Sequence, residues 1–286
     1  SIQLGSARRV LAAAADRTSN GPLLVYSRPS SPGGTPEVEN WVLDNFQNDP
    51  YADLAMVDTA ENIARSCGFP RQAQDEVTLL RYRQYCDALA SDRAFQRRYM
   101  RSIQVPRGKA SVEIDADAGV TPSTAEGLAR LRPVRDGGTV PYGGQTHPAD
   151  GHAGMVLSDT PTQDIRVQIL SFGEGRAEPG HMGMAPVPAA RAALASAGKA
   201  IADMKAIKTH SPVVVNDLYF AREMGVEPDA MNRFGSSLIF GHPQGPTGLR
   251  LVIELIEELV LAGGGYGLFT GCAAGDSGAA IVLRVG

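Results

Sequence analysis

Three residues in the carboxyl-terminal third combine reactive side chains with tightly specified backbone. The stretch "GHPQGPTG", residues 241–248, sets His242 between Gly241 and Pro243, just ahead of an apolar helical pattern. The proline biases its neighbour away from helical angles, and the glycines permit close backbone approach. A histidine at such a helix mouth can act as a general base or as a donor to a developing oxyanion. A turn histidine satisfied by backbone is the structural alternative. In "FTGCAAGDSG", 269–278, Cys272 falls in a small-residue loop between two expected strands. A thiol there can be nucleophile, acid or base, although burial as a small core residue is the usual fate of a free cysteine. In "KTHSPVVVND", 208–217, His210 ends an expected strand and precedes a helix. α/β sheets gather ligands at such strand ends, while a capping or turn histidine is the plainer reading.

Other stretches carry weaker signals. His147, Asp150 and His152 in "HPADGH" are metal-ligating types, but Pro148 opposes a helix that would align the two histidines, so no metal is expected. His181 reads as structural, and Cys67 and Cys86 as helix residues in or near the core. "AGGGYG" lacks the lysine and hydroxyl residue of a phosphate loop, and no GxSxG nucleophile elbow occurs.

The elements that must position these residues follow from periodicity and breakers. Residues 6–16 predict an alanine-rich helix with Arg8 and Arg9 on its polar side, stopped by "TSNG"; "PLLVYS", 22–27, predicts a strand. From 28 to 160 two helices are expected amid Gly-, Pro- and Thr-rich stretches. One is "DTAENIARSC", capped by Asp58 or Thr59 and ended by Gly68; the other spans 72–91. This region reads as an irregular, exposed insertion of the kind that carries binding function. Beyond 164 strand and helix alternate. "IRVQIL" places Ile165, Val167 and Ile169 on one face; "VPAARAALASAGKA" and "VVVNDLYFAREMG" predict helices; "MKAIKT" and "GSSLIF" predict strands. Residues 246–262 predict a nearly buried helix whose narrow polar face holds Arg250, Glu254 and Glu257, before two closing strands. The first 27 residues repeat the late part in miniature, as helix, glycine stop and strand.

The totals bound the answer. With 286 residues, about two domains are expected, and 43% hydrophobic with 20% charged residues suffices for a sizeable core. A net charge of −4 supplies no basic field for nucleic acid or anionic lipid. No apolar run is long enough to span a membrane, and no secretory cleavage pattern is evident. Three scattered cysteines make no disulfide framework, and a cytoplasmic setting is expected.

Several stretches together resemble the thiolase family. "MGMAPVPAARAAL" resembles its "MGxGPVPAxxxAL", "GSSLIFGHPQGPTGLR" its "GGAIALGHPxGASGAR", and "GCAAGDSGAAIVL" its "CxGGGxGxAxxxE". "TAENIARSCGFPRQAQDE" and "GGTVPYGGQTHPADGHAG" resemble two further family stretches, so the likeness runs from about residue 50 to the end. The resemblance implies an α/β fold layered α-β-α-β-α. It would comprise a remnant of the amino-terminal half (1–27), a loop domain binding acyl-CoA (28–160) and a complete carboxyl-terminal half (161–286). It implies C-acyl transfer by Claisen condensation or thiolytic cleavage of a 3-oxoacyl-CoA, with coenzyme A thioesters as substrates and no tightly bound cofactor. His242 would activate the acyl-accepting nucleophile and polarise the thioester oxygen. Cys272 would move the α-proton, and the Ala274 N–H, where the family usually has glycine, would be an oxyanion donor. His210 falls where many thiolases carry the Asn of "NEAF" and the sterol-carrier type has the His of "HDCF".

The departure lies at the front. The family's nucleophile signature "CxSGxxA" falls on "SIQLGSA", which puts Ser1 at the cysteine's place, and "RPSSP" replaces "GGxESMS". About the first third of a thiolase is missing from the match. The chain would therefore act with further sequence or a partner, as a homodimer, a higher homo-oligomer or beside a second subunit such as an OB-fold protein. The alternatives are an acyl-CoA retro-aldolase of the thiolase-like lyase kind and a non-catalytic acyl-CoA-binding subunit.

Overall fold

The computed structural model of the chain describes residues 2–28, 30–31, 33–160 and 165–286. Its first part runs β1 (Arg9–Arg17), β2 (Leu23–Tyr26), β3 (Glu37–Asn40), α1 (Trp41–Gln47), α2 (Met56–Cys67), α3 (Arg71–Arg93), β4 (Ile103–Arg107), β5 (Ala110–Ile114), α4 (Ala125–Arg130) and β6 (Asp150–Ser158). The remainder runs β7 (Val167–Arg176), α5 (Pro186–Ala197), β8 (Met204–Thr209), α6 (Val214–Met224), α7 (Ser237–Phe240), α8 (Gly245–Leu261), β9 (Gly265–Ala273) and β10 (Ser277–Val285).

The main sheet has four strands in the order β7-β10-β9-β8, with β10 antiparallel to both neighbours and β8 parallel to β9. On one face Val187, Ala190 and Leu194 of α5 and Phe220 of α6 pack against Ile207, Leu268 and Val282. The helix can lie this close because a Cβ at Gly173 of β7 would stand 2.3 Å from the Ala189 carbonyl oxygen. On the other face Leu251, Leu255 and Leu259 of α8 are fully buried with Ala206, Phe269 and Leu283, each leucine contributing about 2 kcal/mol of apolar burial. Across α8 from the sheet lies an antiparallel ribbon of β1 and β6, paired from Arg9 with Ser158 to Arg17 with Asp150. Helix, sheet, helix and ribbon are thus four consecutive layers of an α/β sandwich of the expected kind. The helices α2 and α3 pack on α6 and join the same core.

Three local expectations are corrected. Residues 6–16 form the strand β1, not a helix. Alanine's helix propensity is worth only tenths of a kcal/mol per residue, and the alternation of half-buried Val10, Ala12 and Ala14 fits a ribbon whose small side chains let it approach α8. "GSSLIF" is not a strand; it holds the one-turn helix α7, bounded by Gly235 and Gly241, both at φ 94°. The helix α2 is not capped by Asp58 or Thr59: it begins after Ala55, whose N–H donates to the Asp58 carboxylate at 3.3 Å. Ile165, Val167 and Ile169 are exposed together, and the register shift opposite Val282 and Leu283 then turns Ser171 and Gly173 of β7 inward.

Helix α8 keeps the expected polar residues but encloses two of them. Arg250 pairs with Asp117 at 2.5 Å and with Glu254 at 3.0 Å, and its guanidinium lies 3.6 Å from the centre of the Phe240 ring. Glu257 pairs with Arg98 at 2.6 Å. The polar face is therefore not a solvated stripe; it anchors residues 98–117 to the helix that follows His242.

Candidate active site

His210 is the first residue after β8. Its N–H donates to the Thr270 carbonyl at 2.8 Å, which ties it to β9, and its own carbonyl accepts from the Ser237 hydroxyl. His242 is reached by a different route. Gly241 sits at φ 94°, where a Cβ would meet His147 Nε2 at 2.8 Å and the Ala149 Cβ at 2.9 Å. Glycine is required there by both conformation and space. The His242 N–H donates to the His147 carbonyl at 2.9 Å, and α8 begins three residues later at Gly245. Cys272 lies inside β9 as its penultimate residue, not in a loop, and is buried.

These three segments bring their side chains together. His210 Nε2 lies 3.2 Å from Nε2 and 3.3 Å from Nδ1 of His242, and the rings cross at 63°. The far nitrogen, His210 Nδ1, is 3.9 Å from Cys272 Sγ. His242 Nδ1 stands 2.6 Å from the hydroxyl of Thr247, in the first turn of α8. The row Cys272–His210–His242–Thr247 is satisfied in either polarity. In one, each group donates toward Thr247; in the other, the threonine hydroxyl donates to Nδ1 and the imidazoles donate back toward Cys272. Such a row can pass a proton in either direction.

Burial sets the protonation states. It lowers the His210 pKa to about 4, against smaller upward effects from the Cys272 backbone and the Asp217 charge. It also holds His242 well below the usual imidazole value, helped by His210. The Cys272 thiol is pushed up to about 12 by burial, with the Asp217 and Asp276 charges adding to it and a hydrogen bond from Asn216 opposing it. At neutral pH the site therefore holds two neutral imidazoles and a neutral thiol.

Two contributors were not found in the sequence. The Asn216 amide donates to Cys272 Sγ at 3.6 Å, and a carboxyl-bearing neighbour, Asp217, joins it in lining a cavity of about 10 Å³ with Thr209, His210 and Cys272. Both sit one to two turns past His210 on a helix that reads as plain core, and only Cys272, 56 residues on, gives Asn216 its meaning. Asp49 was missed for the same reason. Its carboxylate accepts from the Gly275 N–H at 3.0 Å and so ties the turn after β9 to the segment between α1 and α2.

The remaining candidates fall as follows. Ala274 is exposed in the β9–β10 turn, two residues past Cys272. Ser1 lies outside the described residues. His147 packs beside Gly241 and His152 lies on β6; among the described residues no group of three His, Cys, Asp or Glu is placed to hold a metal. Cys67 accepts from Arg222 at 3.0 Å on the outside of α2, and Cys86 is exposed on α3. Glu61, in the "TAEN" stretch, accepts the N–H groups of Thr139 at 2.9 Å and Val140 at 2.7 Å. That links two of the quoted family stretches through one buried carboxylate.

Comparison with known proteins places this arrangement. The sequence model for "Thiolase, N-terminal domain" matches residues 1–160, and that for "Thiolase, C-terminal domain" matches 163–285. An acetyl-CoA acetyltransferase of Escherichia coli (strain K12) is 30% identical over 295 residues, covering 99% of this chain and 74% of that protein. One of Chromobacterium violaceum is 31% identical over 293 residues, with coverage of 99% and 74%. Among solved structures, the Bacillus anthracis acetyl-CoA acetyltransferase superposes with a TM-score of 0.90 at 26% identity, covering 99% of this chain and 73% of that one. Human mitochondrial 3-ketoacyl-CoA thiolase also gives 0.90 at 26%, covering 100% and 74%. With both halves of the sequence matched and the fold shared, the chain belongs to the thiolase family.

Proposed function

We propose that this chain is an acyl-CoA C-acyltransferase of thiolase type, making or breaking a carbon–carbon bond between coenzyme A thioesters. The observation that carries the reading is the contact row from Cys272 through His210 to His242, assembled from β9, the end of β8 and the mouth of α8. Burial opposes an ion pair between the Cys272 thiol and His210, so we assign formation of the thiolate, which takes the α-proton of an acyl-CoA, to the substrate-bound site. Capture of the α-proton restores the thiol, and the proton left on the imidazole row goes to the nucleophile that carbon–carbon bond formation displaces. His242, free of charge and fixed by Thr247, serves as donor to the thioester oxygen and as base for the acyl acceptor. The Ala274 N–H supplies a second oxyanion donor. By sequence alone, Ser1 takes the place of the family's acyl-carrying cysteine, and a serine there would need a stronger base and stricter geometry to carry the acyl group. The activity is tested by mixing a 3-oxoacyl-CoA and coenzyme A with the protein, following thioester products, and weighing the intact protein for an acyl adduct. Coenzyme A-dependent cleavage is expected; full retention of both substrates contradicts the reading.

One observation favours a second reading, a retro-aldol cleavage of acyl-CoA. Of the three cysteines only Cys272 meets the histidines among the described residues, and an aldol cleavage needs a base and an oxyanion donor but no acyl-carrying thiol. Cleavage of a 3-hydroxyacyl-CoA without coenzyme A, surviving Cys272→Ala, would favour it. Tight coenzyme A binding with neither reaction would instead indicate a binding subunit.

We also propose that the chain works in an assembly, as a homo-oligomer or with a second subunit. The outer face of the β1–β6 ribbon exposes the cross-strand pair Leu11 and Val156, 69% and 67% accessible. Light scattering on the purified protein should give a mass above that of one chain; a strict monomer would contradict this.

A further inference from the structure

One charged pair stands directly beneath the site and takes no part in the chemistry described so far. Asp217 of α6 and Arg81 of α3 meet at 2.7 Å, and both side chains are wholly buried. The Asp217 carboxylate accepts four hydrogen bonds, and three of its donors surround His210. The Thr209 hydroxyl donates to Oδ1 at 2.5 Å, and the Ser211 hydroxyl donates to Oδ2 at 2.8 Å. Asn232 Nδ2 donates to Oδ2 at 3.2 Å and to the Thr209 hydroxyl at 2.7 Å, and its Oδ1 accepts the Thr209 N–H at 2.8 Å. The residues immediately before and after His210 are therefore held by one carboxylate. Ser211 sits at φ 51°, a left-handed conformation that a non-glycine residue adopts only when its surroundings impose it.

Arg81 is fixed just as firmly. Its Nη1 donates to Gln84 Oε1 at 2.8 Å and to the carbonyls of Pro228 at 2.8 Å and Met231 at 3.1 Å. It reaches Asp217 from 136 residues away, from a helix in the inserted region. A buried pair of this sort gains little net stability over an apolar substitute, so its use lies in specifying one geometry.

We propose that Asp217, held by Arg81, is the positioning residue for His210, clamping Thr209 and Ser211 so that the imidazole bridges Cys272 and His242. The clamp makes the inserted region part of the site through α3. This rests on the reading of His210 as part of the proton row. The charged and titratable groups facing His210 are Asp217 on α6, Cys272 on β9 and His242 before α8; Asp276, in the turn after β9, acts on Cys272. The Asp217 charge raises both the His210 and the Cys272 pKa, so its loss moves both in the same downward direction.

The test uses the full chain with the double variant Arg81→Gln/Asp217→Asn, which leaves no unpaired buried charge, and with Thr209→Val/Ser211→Ala, which cuts the two hydroxyl contacts and leaves the ion pair. Nitrogen NMR of His210 and the pH profile of Cys272 alkylation are read alongside turnover. In the first variant the His210 titration and the alkylation midpoint should both move to lower pH. In both variants kcat should fall at least about tenfold with KM within about twofold, as expected when an aligned proton carrier is lost. Unmoved titrations in the folded first variant, or wild-type kcat in both folded variants, would overturn the proposal. The NMR and alkylation readings do not depend on turnover, so they decide it even if acyl transfer itself is disproved.

Discussion

His242 has a hydrogen-bonding neighbour at each ring nitrogen, Thr247 on one side and His210 on the other. That double contact is what turns a turn histidine into an oriented one. Removing the hydroxyl with Thr247→Val leaves the methyl packing and takes away the contact at Nδ1. Steady-state kinetics should then show kcat lowered about tenfold, the value of one buried hydrogen bond, with KM little changed; an unaltered kcat would show that Thr247 does not orient the ring. Cys272 gives a second residue-scale expectation. With its thiol pushed up to about 12 by burial, iodoacetamide at pH 8 should label exposed Cys86 and spare Cys272, as read by peptide mass. Rapid labelling of Cys272 would mean that the thiol is far more acidic than its surroundings imply.

At the scale of elements, the junction from α7 through Gly241 to α8 decides where His242 points. Gly241→Ala combines a left-handed backbone with a contact of 2.8 Å to His147. It should lower unfolding stability by about 1–3 kcal/mol, measured by urea titration, and depress activity beyond that loss of folded protein. The sequence carried much of this junction, because Gly241, Pro243 and the apolar stripe of α8 are local signals. It also carried α5, α6, β8, β9 and β10, whose periodicities are long and whose ends are marked by Gly198 and Gly225 at φ 63° and 66°. It failed where tertiary contact outweighs local preference. The alanines of β1 prefer helix in isolation and become strand only because β6 and α8 are there to receive them. The run at 237–240 is four residues long and buried on all sides, so no periodicity could separate one helical turn from a strand. Asn216, Asp217 and Arg81 looked like ordinary helix residues, since their meaning is a partner 56 or 136 residues distant.

Across the whole molecule, the two neutral histidines tie the site to stability. In the unfolded chain they titrate near the ordinary imidazole value of about 6.5, whereas in the fold His210 stays neutral down to about 4 and His242 is also depressed. Through these two groups the unfolded state binds more protons between those limits, so their contribution to stability falls as pH drops from about 6.5 toward 4, opposed by Glu258, whose carboxyl is raised by burial. Asp58 and Asp117, whose carboxyls are held below the usual value, add their own loss only at lower pH. Urea midpoints at pH 7.5 and 5 should differ in that sense, and His210→Asn should reduce the difference; a midpoint that rises on acidification would contradict the burial of neutral imidazoles. No helix among the described residues is long and apolar enough to cross a membrane. The central claim is that His242, at the mouth of α8, drives acyl transfer between coenzyme A thioesters. The most direct measurement is the kcat/KM for coenzyme A-dependent cleavage of a 3-oxoacyl-CoA by the wild-type chain and by His242→Ala. A loss of about 100-fold or more is predicted, with the variant still folded by urea titration, and a folded variant that cleaves at the wild-type rate would contradict the account.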